Sequence, residues 1–510
     1  MYYKKYFNNS SLAKNISYNL FFNIWQAGLL LILIPIYVKI LGLESFGLIG
    51  FYLIWITILG VLETGFSSTI LREFSWLTAN KKKIIKIFYL FRSTEIFYFS
   101  LIFFICLILS ILVFFFGKEL FKSNTLNPEI IYQTLILMIF SLACSSPLGL
   151  YVGGLRGLNK HQQCSFLLAL FATVRGLGCV MVLLYIKSDI RIFFIFLIII
   201  NSTQLLTFRW FLLRSFTECN YFNKFSFNPL KPIKNYFTGI IFCTAIAIIL
   251  SQSDKLILSR IVTLEDFSLY TISWTVASAL SLLVSPIISV YSPKITALIS
   301  NKKNKAVIKN FKLLSQLTNI LTLSPAIVLI LFSKQLLFVW TGNPFISDNA
   351  APILSVLVIG MLLINCSHPS LTFLYSKNRI KEVIILNLIS LIFIPFQIFA
   401  IKYYGVSGAA YIWLFYGIMF NISCQAICQK YLSIINFYLF NFYNFIIPFC
   451  VIFIINFISS YFINNFNEKF EIIIILIFNL FISWLISLLF FKDLLKVAKK
   501  FFLKDEKIEH

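Results

Sequence analysis

The sequence predicts an all-α membrane protein. About fourteen transmembrane helices are expected, as two six-helix lobes related by a pseudo-two-fold axis along the membrane normal, with an added C-terminal helix pair. Three observations predict it: a row of apolar segments long enough to cross a bilayer, loops whose positive charge alternates from side to side, and an internal repeat. At about 1.5 Å of rise per residue, roughly 20 residues cross a hydrocarbon layer of about 30 Å. Such segments fill most of the 510 residues, in keeping with 59% hydrophobic composition and a mean hydropathy of +0.89, values foreign to a water-soluble domain of this size.

Taken in order, the first span, 15–38, follows Lys14; it is too long for a cleaved signal peptide and lacks a small-residue cleavage site. Span 2 covers 46–70 and is followed by Lys81, Lys82, Lys83 and Lys86. Span 3, 87–111, leads into the longest outer loop, 112–131, and span 4 covers 132–155. Gly149, Gly153, Gly154 and Gly157 at the end of span 4 have the small-residue spacing of close helix packing. Spans 5 and 6, 165–186 and 190–213, close the first lobe. The polar stretch from Glu218 to Lys234, with Asn220, Asn223, Asn228, Pro229 and Pro232, is the expected lobe connector. Spans 7 and 8 cover 237–259 and 267–291, the latter followed by Lys302, Lys303, Lys305, Lys309 and Lys312. Spans 9 to 12 cover 314–334, 350–373, 381–401 and 406–428; spans 13 and 14 cover 444–463 and 471–491. Prolines at 35, 147, 286, 325, 369, 395 and 448 fall inside spans and are expected to kink them.

The net charge of +24 would suit a nucleic-acid binder if it were spread evenly or clustered in a soluble domain. Instead the basic residues concentrate in the N-terminal tail, every second loop and the C-terminal tail, while the opposite loops are close to neutral. That asymmetry is the positive-inside rule; it places both termini in the cytoplasm, with the basic face against anionic lipid headgroups and no nucleic acid partner.

Leu43-Glu44-Ser45-Phe46-Gly47-Leu48 before span 2 recurs as Leu264-Glu265-Asp266-Phe267-Ser268-Leu269 before span 8, an offset of 221. Ser145-Ser146-Pro147 in span 4 pairs with Ser367-His368-Pro369 in span 10, an offset of 222. A shift of six spans keeps both copies in one orientation, the parallel-repeat plan of secondary transporters. The expected domains are 1–222, the N-terminal six-helix lobe; 223–430, the C-terminal lobe; and 431–510, the helix pair with a basic tail.

No cofactor, metal site or catalytic constellation is expected. There is no GxxxxGK[ST] loop, HExxH or CxxC, and Cys424 with Cys428 is simply one helical turn apart. The histidines are His161, His368 and His510; His368 beside Pro369 reads as a hydrogen-bonded helix residue before it reads as a catalytic group.

Ionisable residues within spans are the sharper signal, because each costs about 2.5–3.5 kcal/mol at the bilayer centre on insertion scales. Arg175, near the middle of span 5 and followed by Gly176 and Gly178, either holds a pair of phosphate oxygens or pairs structurally with an acid such as Glu63. Arg92 and Glu95, three residues apart, suit an intrahelical pair. Glu63 has no neighbour of opposite charge in sequence; it suits a proton or cation site, or a partner from span 3 or 5. Asp254 and Lys255 point about 100° apart on a helix, so they do not simply cancel each other, and this leaves one able to face a cavity while the other snorkels. Arg72 and Arg156 end spans 2 and 4, as topogenic anchors or as an entry funnel for an anionic headgroup.

Several segments together resemble a known family. These are Leu41-Gly42-Leu43-Glu44-Ser45-Phe46-Gly47 between spans 1 and 2, Asp254-Lys255-Leu256 with Tyr270, Tyr404-Gly405-Val406-Ser407-Gly408-Ala409-Ala410 before span 12, and the Pro147 to Gly157 stretch. In their order and with fourteen spans, the chain resembles Wzx-type polysaccharide and O-antigen repeat-unit flippases, the polysaccharide-exporter branch of the multidrug/oligosaccharidyl-lipid/polysaccharide exporter superfamily. The resemblance implies an undecaprenyl-pyrophosphate-linked oligosaccharide carried by alternating access from the cytoplasmic to the periplasmic leaflet of a bacterial inner membrane. It maps the family's cavity cations onto Arg175 and, more loosely, Arg156, Arg72 and Lys255. Bilayer lipids, a polysaccharide polymerase and a chain-length regulator are the partners it suggests. Two other functions stand beside it: a cation-coupled drug or metabolite exporter of the same superfamily, which usually has twelve spans, and a membrane polymerase or ligase, which typically needs a larger outer loop than 112–131.

Overall fold

A computed structural model describes residues 25–78 except 27 and 30, together with 84–158, 160–216, 234–432, 442–463 and 469–490. The start of the first expected span, most of the lobe connector after Phe216, and the basic C-terminal tail lie outside these residues.

The described residues are helical almost throughout. α1 is Leu31–Leu41, α2 Leu43–Thr78, α3 Ile84–Phe116, α4 Pro128–Ser145, α5 Leu148–Gly157, α6 His161–Tyr185, α7 Ile190–Leu213 and α8 Lys234–Ile261. α9 is Leu264–Ser300, α10 Asn304–Leu331, α11 Ser333–Thr341, α12 Pro344–Ser376, α13 Ile380–Ser390, α14 Phe393–Tyr431, α15 Ile447–Ile463 and α16 Lys469–Phe490. Among the described residues, eleven helical segments are long and apolar enough to cross a membrane. One of them, Ile380–Tyr431, holds two expected spans, divided at Gly405 where the backbone leaves helical geometry (φ 56°). The remaining two expected spans are occupied by the shorter α1 and by α8. The protein is therefore an all-helical, multi-pass membrane protein, as the sequence predicts.

Local chemistry explains where helices begin and break. Asn127 accepts from Glu129 N at 3.0 Å ahead of Pro128, and Asn343 accepts from Phe345 N at 2.9 Å ahead of Pro344. α4 and α12, the helices that carry the repeated Ser-x-Pro, thus share one N-cap device. Pro147 lacks the N–H that would bond one turn back, and the helix divides there into α4 and α5. Pro395 acts likewise, with the break at Leu391–Ile392 one turn upstream, and a π-turn at Phe442–Ile446 precedes Pro448. Pro369, the repeat partner of Pro147, stays inside continuous α12.

Two compact units are present, Met1–Ser268 and Leu269–His510. In the first, α5 packs along α2 through its glycines: a Cβ at Gly153 would strike the Ser67 backbone, and one at Gly157 would meet Phe74 Cβ at 2.7 Å. Around them lies a core of buried aromatics, Phe66, Phe74, Phe91, Tyr98, Tyr151 and Phe208. In the second, α12 and α14 approach backbone to backbone at Gly360 and Gly417, where a Cβ added to Gly417 would lie 2.6 Å from Gly360 O. There the C-terminal helix pair docks on α10 through polar contacts. Gln316 Nε2 donates to Asn444 Oδ1 at 3.0 Å, and the hydroxyls of Ser324 and Ser487 lie 3.0 Å apart.

Candidate functional site

The polar centre of the first unit gathers on α1, α2, α4, α6 and α7. Arg175 of α6 donates through Nη2 to Gln204 Oε1 of α7, and its buried Nε has no partner. Tyr37, Tyr52 and Cys179 lie within its electrostatic reach. Tyr37 donates its hydroxyl to Gly176 O at 3.0 Å. The Tyr52 and Ser141 hydroxyls lie 2.7 Å apart, and Asn201 Nδ2 donates to Ser141 Oγ at 3.0 Å. No carboxylate lies within ion-pair distance of Arg175 among the described residues. The structural pair with Glu63 weighed from the sequence is absent: Arg175 is held by a neutral amide, and its charge is left uncompensated inside a span. The glycines beside it are filled from the protein, Gly176 by Leu33 and Gly178 by the Phe196 ring.

Glu63 lies elsewhere in the unit, on α2. Its side chain is seated on Gly149 of α5, so close that a Cβ there would overlap it. No basic partner for it exists among the described residues, so the expected partner from span 3 or 5 is not found.

Arg92 and Glu95 do form the predicted pair, Nη1 to Oε2 at 2.5 Å. The structure adds two members that the sequence reading missed: Arg209 Nε lies 2.8 Å from Glu95 Oε1, and the Tyr151 hydroxyl donates to the same oxygen at 2.7 Å. One signal was available. Asn201, Gln204 and Arg209 are polar interruptions of an otherwise apolar span, and each proves to bond to another helix.

Asp254 and Lys255 correct the sequence expectation. Both are buried, at 0% and 5% exposure, with the ammonium 3.6 Å from Asp254 Oδ1 and 2.9 Å from Ser251 O. Neither snorkels, because Lys255 folds back along its own helix and satisfies its charge there. Arg156 ends α5, with Cys164 and His161 within electrostatic reach and a buried, unpartnered Nε. Arg72 is helical, but its side chain falls outside the described residues. Beside the polar centre, Tyr52 also lines an apolar cavity of about 300 Å³ with Trp55, Met138, Ser259 and Arg260.

The fold has well-defined relatives. Over 93% of its length the chain superimposes on 99% of the lipid II flippase MurJ in an inward closed conformation, with a TM-score of 0.65 and 16% identity. An inward-facing multidrug resistance MATE family transporter of the MOP superfamily matches 80% of this chain and 96% of its own, with a TM-score of 0.65 and 13% identity. A MATE transporter of Vibrio cholerae matches 84% and 99%, with a TM-score of 0.57 and 14% identity. At these identities the likeness establishes the fold. No curated protein sequence matches the chain. The polysaccharide biosynthesis protein family matches residues 12–299, more than half of the chain and all of the polar centre described above, and the chain belongs to that family.

Proposed function

We propose that the protein is a flippase that carries undecaprenyl-pyrophosphate-linked oligosaccharide repeat units across a bacterial inner membrane by alternating access, both termini being cytoplasmic. The observation that carries this reading is Arg175, a guanidinium in mid-span bonded to Gln204 and, among the described residues, to no carboxylate. A diphosphate and a sugar chain cannot enter hydrocarbon unaided, and an uncompensated guanidinium in a polar recess is the group that recognises phosphate oxygens in pairs. The family match and the flippase and exporter folds support the same reading. Arg156, with its free Nε, is the second cation we assign to the cargo. Arg72 is a third by position at the end of the second expected span. Lys255 contributes less, since Asp254 and Ser251 already hold its ammonium. A polymerase and a chain-length regulator would then use the units delivered to the outer leaflet.

A second reading, a cation-coupled exporter of drugs or metabolites, is favoured by Glu63, a carboxylate within a span with no basic partner among the described residues. Deleting the gene in its host separates the two. Lipid-linked single units accumulating on the cytoplasmic side, with surface glycan lost and restored by the wild-type gene, are expected of the flippase. Single units on the periplasmic side would point to a polymerase or ligase, and unchanged glycan would favour the exporter. In the complemented strain Arg175→Ala is expected to abolish export at normal membrane abundance, while Arg175→Lys retains part of it; full export by the alanine variant would remove Arg175 from the mechanism.

A further inference from the structure

We infer that Arg92 and Arg209 form a second anion site, on an exposed apolar face of the first unit, which binds the phosphate of a membrane lipid. It does not rest on the identity of the transported cargo.

Charge makes the first argument. One carboxylate, Glu95, is shared by two guanidiniums: Oε2 takes Arg92 Nη1 at 2.5 Å and Oε1 takes Arg209 Nε at 2.8 Å. The Tyr151 hydroxyl completes the shell at 2.7 Å. No other acid pairs with either arginine among the described residues, so the cluster keeps one net positive charge. Glu95 is buried, with 4% of its side chain exposed, while 32% of Arg92 and 39% of Arg209 remain accessible. Arg209 is anchored through Nε to Glu95 and bonds the Tyr151 side chain as well, yet more than a third of it stays accessible to another acceptor, and Arg92 keeps Nε and Nη2.

Position makes the second. Arg92 shares a helix face with Ile96, Phe99 and Phe103, which are 39%, 39% and 65% exposed; Arg209 lies between Leu206 and Trp210, at 61% and 54%. These are exposed apolar surfaces of helices long and apolar enough to cross a membrane, the kind of face that lipid covers. The α3 span begins at Phe88 and the α7 span runs to Phe216. At 1.5 Å per residue, Arg92 and Arg209 therefore lie about 6 and 10 Å inside the ends of their spans. That end also carries Arg214 stacked 5.2 Å above the Trp210 ring and Lys160 bonded to Ser215, an interfacial belt.

Snorkelling would explain a lone arginine whose head reaches water. It does not explain two whose heads are tied back to a buried carboxylate beside lipid. A phosphate supplies the missing negative charge and accepts from the guanidinium nitrogens that remain accessible.

The test uses the full-length protein in nanodiscs and native mass spectrometry, comparing wild type with Arg209→Gln, which leaves the neutral Arg92–Glu95 pair in place. The probes are phosphatidylglycerol, a polyprenyl diphosphate and uncharged diacylglycerol, with inorganic pyrophosphate as competitor. Retention of the phosphate-bearing lipids is expected to fall about tenfold in the variant, with diacylglycerol unaffected and pyrophosphate competing. Preference between the first two probes identifies which lipid supplies the phosphate. Equal retention by wild type and variant would overturn the proposal and leave the cluster a structural ion network, whatever happens to thermal stability. If Arg209→Gln does not accumulate, Arg209→Lys keeps the charge and removes the fork; reduced retention supports the site, and undiminished retention overturns it. Export through Arg175 is read separately, so either result leaves that question independent.

Discussion

Gly47 and Ser268 lie in the two copies of the repeated segment, at matching positions, and they touch. A Cβ built on Gly47 would lie 2.7 Å from Ser268 Oγ and 2.8 Å from Leu264 O, while Ser268 Oγ donates to Leu43 O at 2.5 Å and to Leu264 O at 2.7 Å. The repeat is thus a packing contact as well as a pattern, and one copy needs glycine because the other brings its backbone against it. Gly47→Ala is expected to destabilise the protein by about 1–3 kcal/mol through overpacking, read as a lowered midpoint of thermal unfolding in detergent. Adding Ser268→Ala is expected to recover only part of the loss, since the Leu264 carbonyl belongs to the backbone and cannot be trimmed.

Arg175 owes its availability to a neutral partner. Gln204→Glu would put a carboxylate where the amide oxygen now accepts and neutralise the guanidinium in place. Gln204→Ala would leave the charge intact and only loosen its position. Export is expected to fall at least about tenfold further in the glutamate variant than in the alanine variant, even if the glutamate variant is the more heat-stable of the two. The opposite order of activities would mean that geometry, and not free charge, is what the site requires.

The polar centre was only partly legible in the sequence. Arg175, Glu63 and the Arg92–Glu95 pair stand out because a charge in an apolar run is conspicuous, and three-residue spacing fixes a local pair. Arg209 and Gln204 interrupt an apolar span just as visibly, but their partners, like that of Tyr151, lie on helices far apart in sequence, and no spacing within one span names them. The Asp254–Lys255 expectation failed for a local reason: a lysine stem is long enough to fold back to Ser251 O one turn away, so the angle between adjacent residues did not decide where the ammonium goes. The spans themselves were legible because hydrocarbon forces every backbone group to bond within its own helix. Gly42 and Gly405, with φ of 82° and 56°, lie in two of the motifs that carried the resemblance.

Glu63 sits on Gly149 with no room for a methyl group. Gly149→Ala is expected to displace the carboxyl and Glu63→Gln to remove its charge at nearly constant shape. If the carboxylate couples an ion to transport, both variants lose the dependence of transport on an imposed proton or sodium gradient while keeping the fold. Vesicle transport measured with and without each gradient checks this. Gradient dependence retained by Glu63→Gln would assign the residue to packing alone.

Asp189 provides a pH-dependent element outside the spans. It caps α7 by accepting from Arg191 N at 2.9 Å and pairs with the Arg191 guanidinium at 2.6 Å. The side-chain bonds from Arg191 hold its carboxyl below the usual carboxylate range. A carboxyl whose pKa is lower in the folded state contributes stability above its unfolded pKa and loses it as pH falls through the folded value. Asp189→Asn keeps an N-cap acceptor and removes the ion pair. Wild type is expected to be the more stable near neutral pH by a small margin, because the Arg191 side chain is one-third exposed and solvent screens the pair. The margin is expected to close as the pH drops below the carboxylate range. Thermal unfolding of both proteins across an acid series checks it, and a margin independent of pH would trace the effect to capping instead of charge.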